Sequence, residues 1–265
     1  MLLHSVLGKT VRDGRRGLVA WSLGIAALVL LTCSVYPSVG GNEDYEKLIE
    51  NYPEELKAFI GGSLDLTSGP GYLQAELFSL MVPLLLLVYA IGAGGRALAG
   101  EEEAGTLDLL LAHPVSRGRV VLEKAGALVV TVTVLSVALF AVVLASVVAF
   151  DMGVTVANVA AGTLHAWALA LAFGAFALAV GGASGSRALA IAIPTAVVVA
   201  AYLVDGLANL VDVLEPLAPF SPWHWYIEGE PLRHGVRAGA FLLLATAAVL
   251  TAVSVTAFRR RDLSV

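Results

Sequence analysis

Apolar positions in this chain come in long unbroken runs. Residues 17–42, 77–95, 127–150, 152–186, 188–204 and 238–258 contain no Asp, Glu, Lys or Arg. About 20 apolar residues in a helix cross a bilayer, and each run approaches or exceeds that length. The pattern predicts six spans, at about 18–39, 77–97, 126–150, 158–181, 188–208 and 237–258. Lipid leaves only helices or closed barrels able to satisfy the backbone, and unbroken runs of this length are helical. The expected fold is an all-α membrane protein, one transmembrane domain over residues 1–265.

The segments between the runs carry patterns of their own. In residues 1–16, Leu2, Leu3, Val6, Leu7, Thr10 and Val11 share one helical face. Ser5, Lys9, Arg12, Asp13 and Arg16 share the other. That is the pattern of an interfacial helix with its cations toward anionic lipid, with Gly8 its weak point. Tyr45, Leu48, Ile49 and Tyr52, and then Leu56, Phe59 and Ile60 after Pro53, predict two short extracellular helices. The stretch "TSGPGY" reads as a turn before the second span. Trp223, Trp225 and Tyr226 lie in the proline-rich connection 205–236, where a short surface helix and an aromatic belt at the membrane interface both fit. Pro83 and Pro194 are candidate kinks. Ala90, Gly92, Gly94 and Gly95, and Ala170 and Gly174, allow close helix approach.

Composition agrees with this picture: 58% of residues are hydrophobic and 14% are charged. Lys and Arg set orientation. Twelve of the sixteen fall at the ends that six spans place together, and Lys47, Lys57, Arg233 and Arg237 fall opposite. Both termini and residues 98–124 are therefore expected in the cytosol of a multi-pass protein in the cell membrane. The single cysteine, Cys33, excludes an internal disulfide and reads as a buried thiol, since "LLTC" lacks the small residue of a lipobox. The first run is too long for a signal-peptide core and is expected to be retained.

Several chemistries have no residues to carry them. No G-x-x-x-x-G-K-[ST], C-x-x-C, H-E-x-x-H or G-x-S-x-G occurs. The five histidines are scattered, with only His165 inside a run. Asp205 and Arg96 stand at span edges, so the interior offers no relay of ionisable groups for an ion-driven carrier. No catalytic residue, metal site, bound cofactor or nucleic-acid surface is expected of this chain. Any work of transport would be driven from outside it.

One insert stands apart: "GEEEAGTLDLLLAHPVSRGRVVLEK", residues 100–124. Thr106 can cap a helix carrying Leu107, Leu110 and Leu111 before Pro114 breaks it. Ser116 can start the next helix, through Arg117 and Val120 to Lys124. Glu101, Glu102 and Glu103 can meet a basic protein groove or favour the N-terminus of the helix that follows. The alternative is that these charges are simply solvated.

This insert resembles the signature region of permease subunits of type-2 ABC exporters, including those related to copper-site maturation and bacitracin resistance. "YLQAELFSLMVPLLLL", "LAPFSPWHWYIEGEPLRHG" and "AFRRRDLSV" resemble further segments of that family. The resemblance implies a cytosolic coupling helix between spans two and three, seated in a cleft of an ATPase subunit. By position, Glu101, Glu102, Glu103, Gly105, Thr106, Leu107, Leu110, Arg117 and Lys124 would dock there, with Arg12, Arg15 and Arg16 of the interfacial helix nearby. It also implies two permease chains, a homodimer or close homologues. Two ATPase polypeptides, with no fused nucleotide domain here, would hold the ATP and Mg. The chain itself would be non-catalytic. A membrane-embedded scaffold or enzyme not driven by ATP is the alternative. Apolar, Gly-rich spans suit an amphipathic cargo such as a drug, lipid or peptide.

Overall fold

The structure, a computed structural model, describes residues 6–42, 66–107, 115–208 and 210–261. The long helices are α1 (Val6–Val39), α2 (Gly69–Glu103), α3 (Arg117–Ala149), α4 (Val156–Ser184), α5 (Arg187–Leu207) and α8 (Ala238–Arg260). Two short helices, α6 (Pro222–Ile227) and α7 (Pro231–His234), follow a 3₁₀ turn at Glu215–Phe220 in the connection before α8. No strand occurs among the described residues. The six long helices are all apolar and long enough to cross a membrane. The two helices expected within 43–65 lie outside the described residues.

Caps set the helix starts. The hydroxyls of Ser116, Thr155 and Ser186 accept amides of the first turns of α3, α4 and α5. Gly185, left-handed at φ 69°, ends α4. The helix expected to start at Ser116 and lead into the third span does start there.

α4 is the central helix, packed on α8, α2, α3 and α5. Its Ala- and Gly-rich surface lets neighbours approach to backbone distance, which compensates for the missing hydrophobic drive inside lipid. The closest crossing is with α2: a Cβ placed on Gly94 would lie 2.2 Å from the Gly174 carbonyl oxygen. Gly95 faces Ile191 and Ala190 of α5. Gly92 meets no other helix; the Arg96 side chain lies over it. Large apolar side chains such as Leu31, Val148 and Val249 point outward, as lipid contact requires.

Two expectations are revised. The N-terminal amphipathic stretch is not a helix of its own, because α1 runs continuously from Val6 to Val39. Glycine weakens a helix by about 1 kcal/mol without breaking it, and no proline separates the stretch from the span. The helix that carries the second span extends beyond 77–97, since α2 reaches Gly69 at one end and Glu103 at the other. It contains two wide turns, Gln74–Phe78 and Arg96–Gly100. In the first, the Ser79 amide reaches back to the Gln74 carbonyl, and Pro83 has no N–H to offer the Ser79 carbonyl. The Phe78 carbonyl, at the end of this turn, accepts the Tyr226 hydroxyl.

The aromatic connection also differs from a membrane-interface belt. Trp223 and Tyr226 are 3% and 2% exposed and stack edge-on between the helices. Burial raises the Tyr226 phenol's pKa, which keeps it a hydrogen-bond donor. His165 of α4, fully buried, accepts the Arg237 amide on Nε2 and faces the Tyr226 carbonyl through Nδ1. The imidazole is thus neutral with its proton on Nδ1. It is a strut between α4 and the connection, as are the Asp205–His224 contact at 2.9 Å and the bond from the Ser221 hydroxyl to the Ala201 carbonyl. Replacing His165 with Ala orphans the buried Tyr226 carbonyl, at about 1–3 kcal/mol, and removes the partner of the partly buried Arg237 amide. A drop of several degrees in the thermal unfolding of the purified protein is expected.

Candidate functional site

The start of α1, the end of α2, the starts of α3 and α5 and the end of α8 meet at one end of the bundle. Both described termini and the residues flanking the insert are therefore together, the end to which twelve cations were assigned.

The three glutamates form the last turn of α2 and do not open a following helix. Gly105, at φ 65°, bonds back to Glu102, and the Thr106 amide bonds back to Glu101. This left-handed closure, with glycine where a side chain would strain, stops the helix. The Thr106 hydroxyl donates to the same Glu101 carbonyl at 3.1 Å. Whether Thr106 caps a further helix depends on residues 108–114, which lie outside the described residues together with Leu110. Leu107 is 2% exposed and packs with Leu98, Val120, Val121, Leu178 and Phe258.

Carboxylates at a helix C-terminus oppose its dipole, so their partners come from elsewhere. Glu101 pairs with Lys124 of α3, whose ammonium also donates to the Thr10 hydroxyl of α1 at 3.2 Å. Lys124 is 4% exposed, so this is a largely desolvated pair. The other Glu101 oxygen is buried without a partner among the described residues. Glu102 pairs with Arg261 at the end of α8. Glu103 accepts the Arg187 amide at 2.9 Å. It does meet a helix N-terminus, but that of α5. Three neighbouring side chains thus tie α2 to three other spans, and through Lys124 to a fourth.

The remaining candidates divide. Arg117 donates to the Arg261 carbonyl at 2.7 Å, and Arg261 also reaches the Gly181 and Gly182 carbonyls of α4. Arg12, Arg15 and Arg16 are exposed along α1 and do not join this network. Glu123, not singled out from the sequence, accepts the amides of Val6 and Leu7 and the Arg119 guanidinium. It anchors α1 to α3. The contact spans 117 residues of chain, and no local spacing announces it. Glu103, Ala104, Gly105 and Thr106 are exposed to solvent on the outer rim of the junction.

Similarity to known proteins agrees with this architecture. Residues 4–263 match the family model described as ABC-2 family transporter protein. Over 71 residues the chain is 39% identical to "Probable ABC transporter permease protein NosY" of Stutzerimonas stutzeri. That match spans about a quarter of each protein, 26% of this chain and 24% of the relative. Six membrane-length helices and a family match along nearly the whole sequence identify the chain as a member of the ABC-2 family of transporter proteins.

Proposed function

We propose that this chain is the permease subunit of an ATP-driven exporter, powered by a separate ATPase that docks on the exposed rim at residues 103–106. The observation that carries the reading is the junction at the end of α2. A push on that rim is relayed through Glu101, Glu102 and Glu103 into α3, α8 and α5. Rigid helices joined by such ties move as bodies, the form that switching between two packings takes.

The three carboxylates have a different share in coupling from the one their position in the insert implied. Glu101 and Glu102 are 24% and 21% exposed, with their charge turned inward. They transmit displacement, and the described surface left for the partner is Glu103, Thr106 and the turn between them. Two permease copies and two ATPase copies complete the assembly, with ATP and Mg held by the partner. Both termini lie in the cytosol of the cell membrane.

The test is purification of the tagged chain in mild detergent from its own membranes. A co-purifying protein of roughly stoichiometric amount that carries a P-loop and hydrolyses ATP is the expected result. Recovery of the chain alone, still active or still assembled, would turn the reading to a scaffold or enzyme that ATP does not drive.

A further inference from the structure

α1 packs mainly along α3, and its contacts with the middle of α2 are few. A crevice runs between α1 and α2, bridged by the Trp21 and Tyr89 rings at 6.0 Å between centroids. Two cavities occupy it. One, of about 280 Å³, lies at the basic end and is lined by Lys9, Asp13, Arg96, Glu101 and Lys124 above a floor that includes Tyr89. The other, of about 420 Å³, lies further along the same two helices. It is almost wholly apolar, between Trp21, Ile25 and Leu28 of α1 and Met81, Leu84 and Leu85 of α2.

The charges in the first cavity are unequal in availability. Lys124 and Glu101 are committed to each other. Lys9 and Arg96 make no hydrogen bond or ion pair among the described residues, and Asp13 makes none either. Three cations thus face two carboxylates, with two of the cations free. A cation near the end of a span ordinarily extends toward water. Here the Arg96 guanidinium folds back over Gly92, a turn deeper along α2, where a Cβ would lie 3.3 Å from Nη1. The absent side chain at Gly92 leaves room for it.

Lys9 to Leu28 is 19 residues, about 28 Å of helix. That length covers a headgroup layer and the acyl half of a bilayer whose hydrocarbon core is about 30 Å. A polar, cationic pocket opening into an apolar groove in the same crevice matches an amphiphile with an anionic head and a hydrocarbon tail.

We propose that this crevice binds an anionic phospholipid of the leaflet at the basic end. Lys9 and Arg96 hold the phosphodiester, and an acyl chain lies along Trp21, Ile25 and Leu85. The claim rests on the two cavities and their charges, not on the transport reading.

The test uses Trp21 as a reporter. The full chain is reconstituted in phosphatidylcholine vesicles containing rising fractions of brominated phosphatidylglycerol or brominated phosphatidylcholine. The fluorescence lost on Trp21→Phe defines the Trp21 share. Each basic residue near a membrane surface favours anionic lipid, and for two the expected preference is about thirtyfold in half-quenching fraction. Lys9→Gln with Arg96→Gln should bring the two curves together, while Lys9→Arg with Arg96→Lys keeps them apart. Both residues are exposed and unpaired, so these variants leave the packing intact. Coincident curves in the unaltered protein, or a preference that survives the double Gln variant, would overturn the site. Loss of the preference on adding millimolar inorganic phosphate at constant ionic strength would show a soluble-anion site and overturn the lipid assignment.

Discussion

Replacing Glu101 with Gln is expected to destabilise the protein by about 3 kcal/mol, near the low end for breaking a buried ion pair because Glu101 is partly exposed. The loss arises less from the missing attraction than from what remains. Lys124, 4% exposed, would be left with neutral acceptors alone, the new amide oxygen and the Thr10 hydroxyl. Removing both charges, Glu101→Gln with Lys124→Met, should recover most of the loss, since an apolar pair of similar volume is often as stable as a buried ion pair. Thermal unfolding of the three variants in detergent checks this. Equal losses in the single and double variants would mean that the pair is not desolvated. In the complex, the single variant should hydrolyse ATP while transport falls, because the link from α2 to α3 is the part removed.

The second large effect is expected at Gly94. A methyl group there would meet the Gly174 carbonyl oxygen at 2.2 Å, and backbone cannot swing aside as a flexible side chain can. α2 and α4 would have to part at the centre of the bundle. Overpacking typically costs about 1–3 kcal/mol, and Gly94→Ala should reach the upper part of that range; Gly94→Ile should fail to fold. Gly17→Ala is the matched control. It sits in α1 with nothing within 4 Å, and should be neutral or raise stability by up to about 1 kcal/mol through helix propensity. Thermal unfolding of the two Ala variants decides whether the crossing is as tight as described.

What could be read from the sequence and what could not follow one physical division. The spans were legible because burial in lipid requires long charge-free runs, which are local. The close approach at Gly94 and Gly174 was legible for the same reason, since small residues at membrane depth have few other uses. The roles of the glutamates were not. Their partners lie 23, 159 and 84 residues away, at Lys124, Arg261 and Arg187. No periodicity within 100–124 encodes a contact with the end of α8. The same holds for Trp223 and Tyr226, whose composition fits a membrane interface but whose environment is set by α5 and α2 packing over them. α2 runs on past Arg96, although a charge ordinarily marks the end of a span. Here the three carboxylates find partners on neighbouring helices, and α2 continues through them to Glu103.

Cross-linking from Thr106 most directly tests whether motion enters through the rim of this junction. The only native cysteine, Cys33, is fully buried, so Thr106→Cys supplies a single accessible thiol for a short photo-cross-linker. Val213→Cys, 78% exposed in the connection before α6, serves as the comparison. The expected result is capture of an ATP-hydrolysing protein from Thr106 and not from Val213, with a yield that changes when ATP is added. Capture of no such protein from Thr106, or equal capture from both positions, would contradict it.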